Sequence, residues 1–537
     1  MKKRKGIILA VCILSILLGY ITMYYPNSKD NSTNFSYTRA KEDLKVITKE
    51  PHSTMFHQEA LKDVRQYIVK ELETLNINPK IFSYKDVKNE KGQVTDLNNI
   101  YGKIDGKDGE EGSYILLVAH YDSAGTNPQN EEGYSYGASD DGYGVATILE
   151  ILRNIRESGK KLENGIKVLI TDGEEMQIIG SREEFNNNFS LYENVSYVIN
   201  FEARGTSGPV IMYQTSEKND RVLDLYKNAN YPVTTSIVTD LYKKSGRSDF
   251  LNIKNKGLAG INFTTLDNVE YYHTPEDSYD NISDKSLNHY GEQALPIVEK
   301  FIYSDKYNDV NYFKQGNESI FFTILPNVVL DYSVTLGRTL TVMIIIAVIV
   351  IIIHNRDKIK GILKSICKNL IYIVGTFIVG LIISFGLTTA SGVKFALDHM
   401  GKVPGDDILV IVLPIIVLGF VLKVEMKKKD NISENFFAGV LIQTILLSVT
   451  MVFLPGASYV AMIPLMLTLI SLAIIRLINK EAAKYTLLFP IVAMIILYLP
   501  LINIFHMAFS IGSLPLIFVI LMIMKSLILS TINKIID

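Results

Sequence analysis

Residues 114–122, YILLVAHYD, and 166–175, IKVLITDGEE, decide the reading of this 537-residue chain. Each opens on a short aliphatic run and stops abruptly at acidic or imidazole side chains. A run of that length without polar alternation is what a strand buried on both faces requires. A third segment, 196–202, SYVINFE, ends the same way. Between the first two, Val145, Ile148, Leu149 and Leu152 share one face of a predicted helix over 143–157, and another helix is expected after 177. The alternation predicts an α/β fold, a mixed and largely parallel sheet sandwiched by helices. Upstream, 36–50 and 58–75 have helical spacing, and 80–85 and 97–104 read as extended.

In open α/β sheets, ligands collect beyond the carboxyl ends of the strands. The first strand runs into His120 and Asp122, the second into Asp172, Glu174 and Glu175, and the third into Glu202. An acidic turn, Gly137-Ala-Ser-Asp140-Asp141-Gly142, precedes the first helix, and Tyr272-His273 comes much later. The two cysteines, Cys12 and Cys367, lie far from these segments, so a metal here takes His, Asp and Glu as ligands. Imidazole plus carboxylate suits Zn²⁺ or a related divalent ion. So many carboxylates favour two ions over one, and a pair can clamp a water and polarise a carbonyl together.

The last 200 residues differ in character. Residues 6–25 follow Lys2, Lys3, Arg4 and Lys5 and are long enough for an uncleaved membrane anchor. Seven further spans are drawn near 337–353, 370–390, 408–422, 436–454, 459–478, 485–505 and 510–531. With the basic N-terminus cytoplasmic, the loops at 354–369, 423–435 and 479–484, rich in Lys and Arg, fall on the cytoplasmic side. Residues 26–336 then lie outside, which predicts an integral protein of the cell membrane with its α/β part non-cytoplasmic. The expected domains are an anchor and linker (1–35), a catalytic domain (36–305), a connector (306–336) and a membrane domain (337–537). Residues 319–330, SIFFTILPNVVL, read as a strand or docking segment. Arg476 and Lys525 fall near span ends, so no charged path through the membrane is evident.

The ordered motifs over 36–300 resemble the co-catalytic two-zinc aminopeptidases and glutamate carboxypeptidases, and within them the membrane-embedded endoplasmic-reticulum and vacuolar metallopeptidases. The resemblance implies a zinc-exopeptidase-like fold and two Zn²⁺ ions held by His120, Asp140, Glu175, Glu202 and His273, with Asp140 bridging. It implies Glu174 as general base, Asp122 orienting the His120 imidazole, and Tyr272 hydrogen-bonding the oxyanion. Asp141 is expected to cap the helix. Asp249, in a segment that recurs near the pocket of such proteins, is equally readable as a helix cap. The expected partners are a peptide substrate and the lipid bilayer.

Near-balanced charge, 54 Lys and Arg against 56 Asp and Glu, argues against a nucleic-acid surface. There is no His-Glu-x-x-His helix, Gly-x-Ser-x-Gly elbow or phosphate loop. The competing reading is a transport or scaffold protein with an inactive peptidase-like domain. A one-zinc cyclising acyltransferase acting on N-terminal glutamine is disfavoured by the full ligand set. Amino- against carboxypeptidase specificity and oligomeric state are left open by the sequence.

Overall fold

The computed structural model describes residues 2–28, 35–125, 134–243, 246–393, 403–426 and 431–536. Lys427, Lys428 and Lys429, in the basic loop 423–435, lie outside these. The chain divides into two compact units, Tyr24–Asp331 and the combination of Met1–Met23 with Tyr332–Asp537.

The first unit is built on a seven-stranded sheet: β1 (Lys80–Lys88), β2 (Val94–Ile104), β3 (Tyr114–His120), β4 (Gly165–Thr171), β5 (Val195–Asn200), β6 (Ile211–Thr215) and β7 (Gly260–Thr264). The spatial order is β1-β2-β4-β3-β5-β7-β6. The inner four strands, β4, β3, β5 and β7, are parallel. β1 and β2 form an antiparallel edge against β4, and β6 closes the other edge antiparallel to β7. Alternate residues of β3 explain its unbroken apolar run. Ile115, Leu117 and Ala119 pack into one core with Leu149, Tyr290 and Ile297, while Tyr114, Leu116 and Val118 pack into another with Phe185, Phe250 and Ile253. Both faces are covered by helices, so no position of the strand can be polar without cost.

The helices at Tyr37–Ile47, Gln58–Thr74, Gly142–Ser158 and Ile179–Asn187 fall where the periodicity predicts them. β6, β7 and the short helices between them were not read from the sequence, because their runs of about five residues carry little periodic signal. Residues 319–330 form strands at Ser319–Leu325 and Val328–Ser333 that pair in a separate two-stranded sheet.

The second unit is helical. Besides Lys2–Ile21, apolar helices run over Val334–His354, Ile359–Ala390, Asp406–Met426, Ile432–Phe453, Tyr459–Ile478, Leu488–Phe509 and Leu514–Ile536. At about 1.5 Å per residue, the 21 residues of Val334–His354 match a hydrocarbon core about 30 Å thick. The last helix corrects the sequence reading. Residues 510–513 form a separate 3₁₀ turn, so the helix starts and ends later than 510–531 and Lys525 lies mid-helix rather than near an end. Its ammonium is buried and sits 2.9 Å from the Glu425 carboxylate, which also lies 3.4 Å from Lys368. Pairing is the expected solution for a charge held among apolar helices.

Candidate active site

The carboxyl ends of β3, β4 and β5 meet along one edge of the sheet, and each delivers one part of the site. β3 ends at His120, which is 1% exposed. Its Nδ1 donates to the Asp122 carbonyl oxygen at 2.9 Å, which fixes the tautomer and leaves the Nε2 lone pair facing the cluster. Nε2 lies 3.3 Å from Asp140 Oδ1 and 3.9 Å from Glu202 Oε2. On the other side, His273 Nε2 lies 3.3 Å from Asp140 Oδ2 and 3.0 Å from Glu175 Oε2. Asp140 therefore offers one carboxylate oxygen to each histidine.

Local structure aims these groups. Asp141 caps the helix Gly142–Ser158: its carboxylate accepts from the Gly144 amide at 3.1 Å and from the His120 amide at 3.3 Å. The cap ties the acidic turn to the end of β3 and leaves Asp140 pointing into the cluster. Only glycine fits at 144, because a Cβ there would sit 2.4 Å from the Asp141 carboxylate and 2.6 Å from Phe201. His273 has a φ of +58°, left-handed backbone that a histidine adopts at a cost of about 1 kcal/mol or more. Tyr272 stacks on its ring at 3.7 Å.

The Asp122 carboxylate has a wider task than the sequence suggests. It lies 3.6 Å from the His120 ring. It accepts the backbone amides of Glu174 at 3.1 Å and Glu175 at 3.2 Å, and the Thr54 hydroxyl at 3.1 Å. One side chain thus holds the turn after β4 in register with the end of β3. Asp249 begins the helix Asp249–Asn255, whose cap position is Ser248. Its buried carboxylate accepts the hydroxyls of Thr171 and Ser181, so it braces the end of β4.

Asp277 escaped the sequence reading. Its carboxylate accepts the Ser139 amide and hydroxyl, both at 2.7 Å, and the Asp140 amide at 3.3 Å. It joins the turn that carries Asp140 to the segment that carries His273. Burial pushes its carboxyl up to about 6 against the pull of those donors. The only signal was its place four residues after His273. Removing an outer partner of this kind typically weakens metal binding 10–100-fold. Asp277→Ala should show a loss of about that size when Zn²⁺ is titrated against a competing chelator; unchanged affinity would mean that the turn holds itself.

Two other buried histidines are used elsewhere. His52 Nδ1 bonds the Glu50 carbonyl at 2.9 Å, and His289 joins the Val210 amide to the Tyr231 carbonyl. Burial drives both down, to about 4 and about 3 respectively, as expected of neutral core imidazoles.

The electrostatics are those of a cation site. Burial, reinforced by Glu202, pushes the Glu174 carboxyl well above the usual range. Burial does the same at Glu202, although His120 opposes it. At His273, burial would lower the imidazole, but Glu175 and Asp140 outweigh it and raise it to about 10. A divalent cation among these groups reverses such penalties. The donors fit one: His120, Asp140 and Glu175 present ligand atoms all within 4.8 Å of one another. Tetrahedral zinc with bonds of about 2.0–2.1 Å separates its ligand atoms by about 3.3 Å, close to the spacings seen here. Buried Glu175 Oε1 has no hydrogen-bond partner among the described residues, as a vacant ligand atom would have none. Beside the cluster opens a cleft of about 270 Å³, lined by Asp140, Glu174, Glu202, Arg204, Tyr242 and Tyr272 among others.

Residues 99–298, which contain every candidate metal ligand named above, match the model of Peptidase family M28. Over 258 residues the chain is 27% identical to Endoplasmic reticulum metallopeptidase 1 of Mus musculus, covering 47% of this chain and 28% of that protein. Over 299 residues it is 25% identical to the Vacuolar membrane protease of Schizosaccharomyces pombe, covering 52% of this chain and 33% of that one. The matched region thus spans about a third or less of these curated relatives. A solved structure, a Zn-dependent exopeptidase from Parabacteroides distasonis, aligns at 18% identity and a TM-score of 0.41, over 51% of this chain and 99% of that one. The likeness to metallopeptidases of the M28 family, with membrane proteases among the relatives, is the finding that bears on function.

Proposed function

We propose that this chain is a membrane-bound zinc exopeptidase, an aminopeptidase, that binds two zinc ions and uses Glu174 as its general base. The observation that carries the reading is Asp140, whose two oxygens each face a different histidine at 3.3 Å. A carboxylate shared in this way suits two neighbouring cations, one with His120 and Glu202, the other with His273 and Glu175. Zinc bound there would supply Lewis acidity, polarising the scissile carbonyl and acidifying a water.

The chain's own residues do the rest. Glu174 takes the proton of the attacking water and passes it to the leaving amine. Its carboxyl lines the cleft beside Asp140 and Glu202, where the attacking water would stand. The Asp122 carboxylate grips the Glu174 and Glu175 amides and limits the base to one position. Tyr272, stacked on His273, offers its hydroxyl to the oxygen that becomes negative. We read residues 1–35 as anchor and linker, 36–305 as the peptidase domain, 306–336 as a connector and 337–537 as the membrane domain. The peptidase domain lies on the non-cytoplasmic side of the cell membrane in this reading.

The full chain, purified in detergent, should hydrolyse dipeptides and amino-acid arylamides. Chelation should remove the activity and Zn²⁺ restore it, with two ions per chain by metal analysis. The ion-paired Lys525 favours a second reading, a transport or scaffold protein with an inactive peptidase-like domain. A metal-free, inactive chain would point there.

A further inference from the structure

A second cavity, of about 400 Å³, opens at the end of the sheet opposite the metal-competent cluster. β7 runs parallel to β5, and β6 runs antiparallel to β7. The end of β6 and the start of β7 therefore lie at the edge where β3, β4 and β5 begin. Thr215, Ser216, Leu258 and Ala259 line the cavity there, and it shares none of its described lining residues with the cleft beside Asp140. Three lysines reach it from separate stretches of chain: Lys243, Lys254 and Lys314. Among the described residues, Glu217 is the one carboxylate on its wall, and Glu217 is exposed.

The three ammonium groups differ in what surrounds them. Lys243 lies 3.1 Å from the Glu318 carboxylate, which balances its charge. Lys254 sits 5.5 Å over the ring of Phe250, and neither it nor Lys314 has a carboxylate within ion-pair distance among the described residues. Burial and the Lys243 charge lower the Lys254 ammonium against the pull of Glu217, so the fold keeps these cations together at a cost. A lysine in the last turn of the helix Asp249–Asn255 suits the helix dipole, which accounts for Lys254 but not for three lysines around one cavity. Ser216 adds a neutral donor. Its buried hydroxyl oxygen accepts the Gly260 amide at 3.2 Å, and its proton is given to no group among the described residues.

We propose that this cavity binds a phosphate monoester, with Lys254, Lys314 and Ser216 donating to the phosphate oxygens and Leu251, Leu258 and Phe313 packing on the organic group. The inference stands apart from the peptidase reading. Lysine meets phosphate as a point charge with three donors. A phosphate monoester brings a charge of about −1.5 to −2 at pH 7 and three strong acceptor oxygens, which matches two unbalanced cations and a hydroxyl. A carboxylate brings one charge and leaves the second cation unbalanced. The cavity volume lies in the range of small-molecule sites, about 300–1,000 Å³, and the apolar side chains on its wall need an apolar partner that bare phosphate lacks.

The test titrates phenyl phosphate and benzoate into the full chain in detergent by calorimetry. The variants are Lys254→Gln with Lys314→Gln, Ser216→Ala, and Asp140→Ala as the control for phosphate bound at the metal cluster. Wild type should bind phenyl phosphate at least tenfold more tightly than benzoate. The double lysine variant should lose at least tenfold in affinity and Ser216→Ala about threefold, while Tm and zinc content stay as in the wild type. Asp140→Ala should keep the binding. Should the double variant not fold, Lys314→Gln alone carries the comparison, with a loss of at least threefold. Phosphatidic acid in the micelles that displaces phenyl phosphate would make the ligand a lipid headgroup, and no displacement would make it a soluble phosphate; both agree with the proposal. Binding that is lost in Asp140→Ala but kept in the lysine variants would place the phosphate on the metal cluster and overturn it. Benzoate bound as tightly as phenyl phosphate, or no binding of either by the wild type, would also overturn it.

Discussion

Replacing Glu174 with Gln should reduce peptide hydrolysis by about a thousandfold or more, while zinc content and folding stay as in the wild type. Positioned general bases contribute about 10²–10⁴-fold, and in the proposed mechanism one carboxylate serves both proton transfers. Glutamine has the same shape and keeps the backbone amide that Asp122 grips at 3.1 Å. It removes only the ability to accept and return a proton. The two readouts separate the roles of neighbours: Glu175 lies 3.0 Å from His273 and is assigned to the metal, so its loss should lower zinc content, whereas loss of Glu174 should not. Stopped-assay kinetics with metal analysis on the same preparation check this. A Glu174→Gln enzyme within tenfold of wild type would remove Glu174 from the mechanism.

Asp140→Ala should be equally damaging for a different reason. The residue is 4% exposed and, among the described residues, is the one carboxylate that faces both His120 and His273. Burial would raise its carboxyl, but the two imidazoles outweigh that and hold it low, so it is the natural anion of the pair. Alanine leaves two histidines with no shared anion. Zinc stoichiometry should fall from two ions to one or none, with activity down about a thousandfold, since metal polarisation is worth several kcal/mol. Binding to the native state alone raises stability with ligand concentration. The rise in Tm on adding Zn²⁺ should therefore shrink in the variant. Retention of two ions and of the full Tm response would show that the bridge is elsewhere.

The spatial division between Asp140 and Asp141 shows how much could be read from sequence. Spacing alone leaves two adjacent acids before a helix. The structure gives Asp141 to the helix start and to the His120 amide, and gives Asp140 to the two imidazoles. Asp122 is a similar case. The sequence gives it one partner, the His120 ring, while its carboxylate accepts two backbone amides from a turn about fifty residues away. Asp277 carried no motif at all. It works through residues distant in sequence, Ser139 and Asp140.

What the amino-acid order determined by itself was local and periodic: buried strands with no polar alternation, amphipathic helices, apolar runs of bilayer length, and metal-competent side chains at the ends of β3, β4 and β5. Those patterns are legible because burial acts on each residue through its near neighbours in the chain. The tertiary structure alone decided which carboxylate faces both histidines, which acids only brace the turns, and where along its helix Lys525 sits. These depend on distances between segments far apart in sequence, and such distances are set by the packing of the whole sheet and its helices rather than by any single stretch.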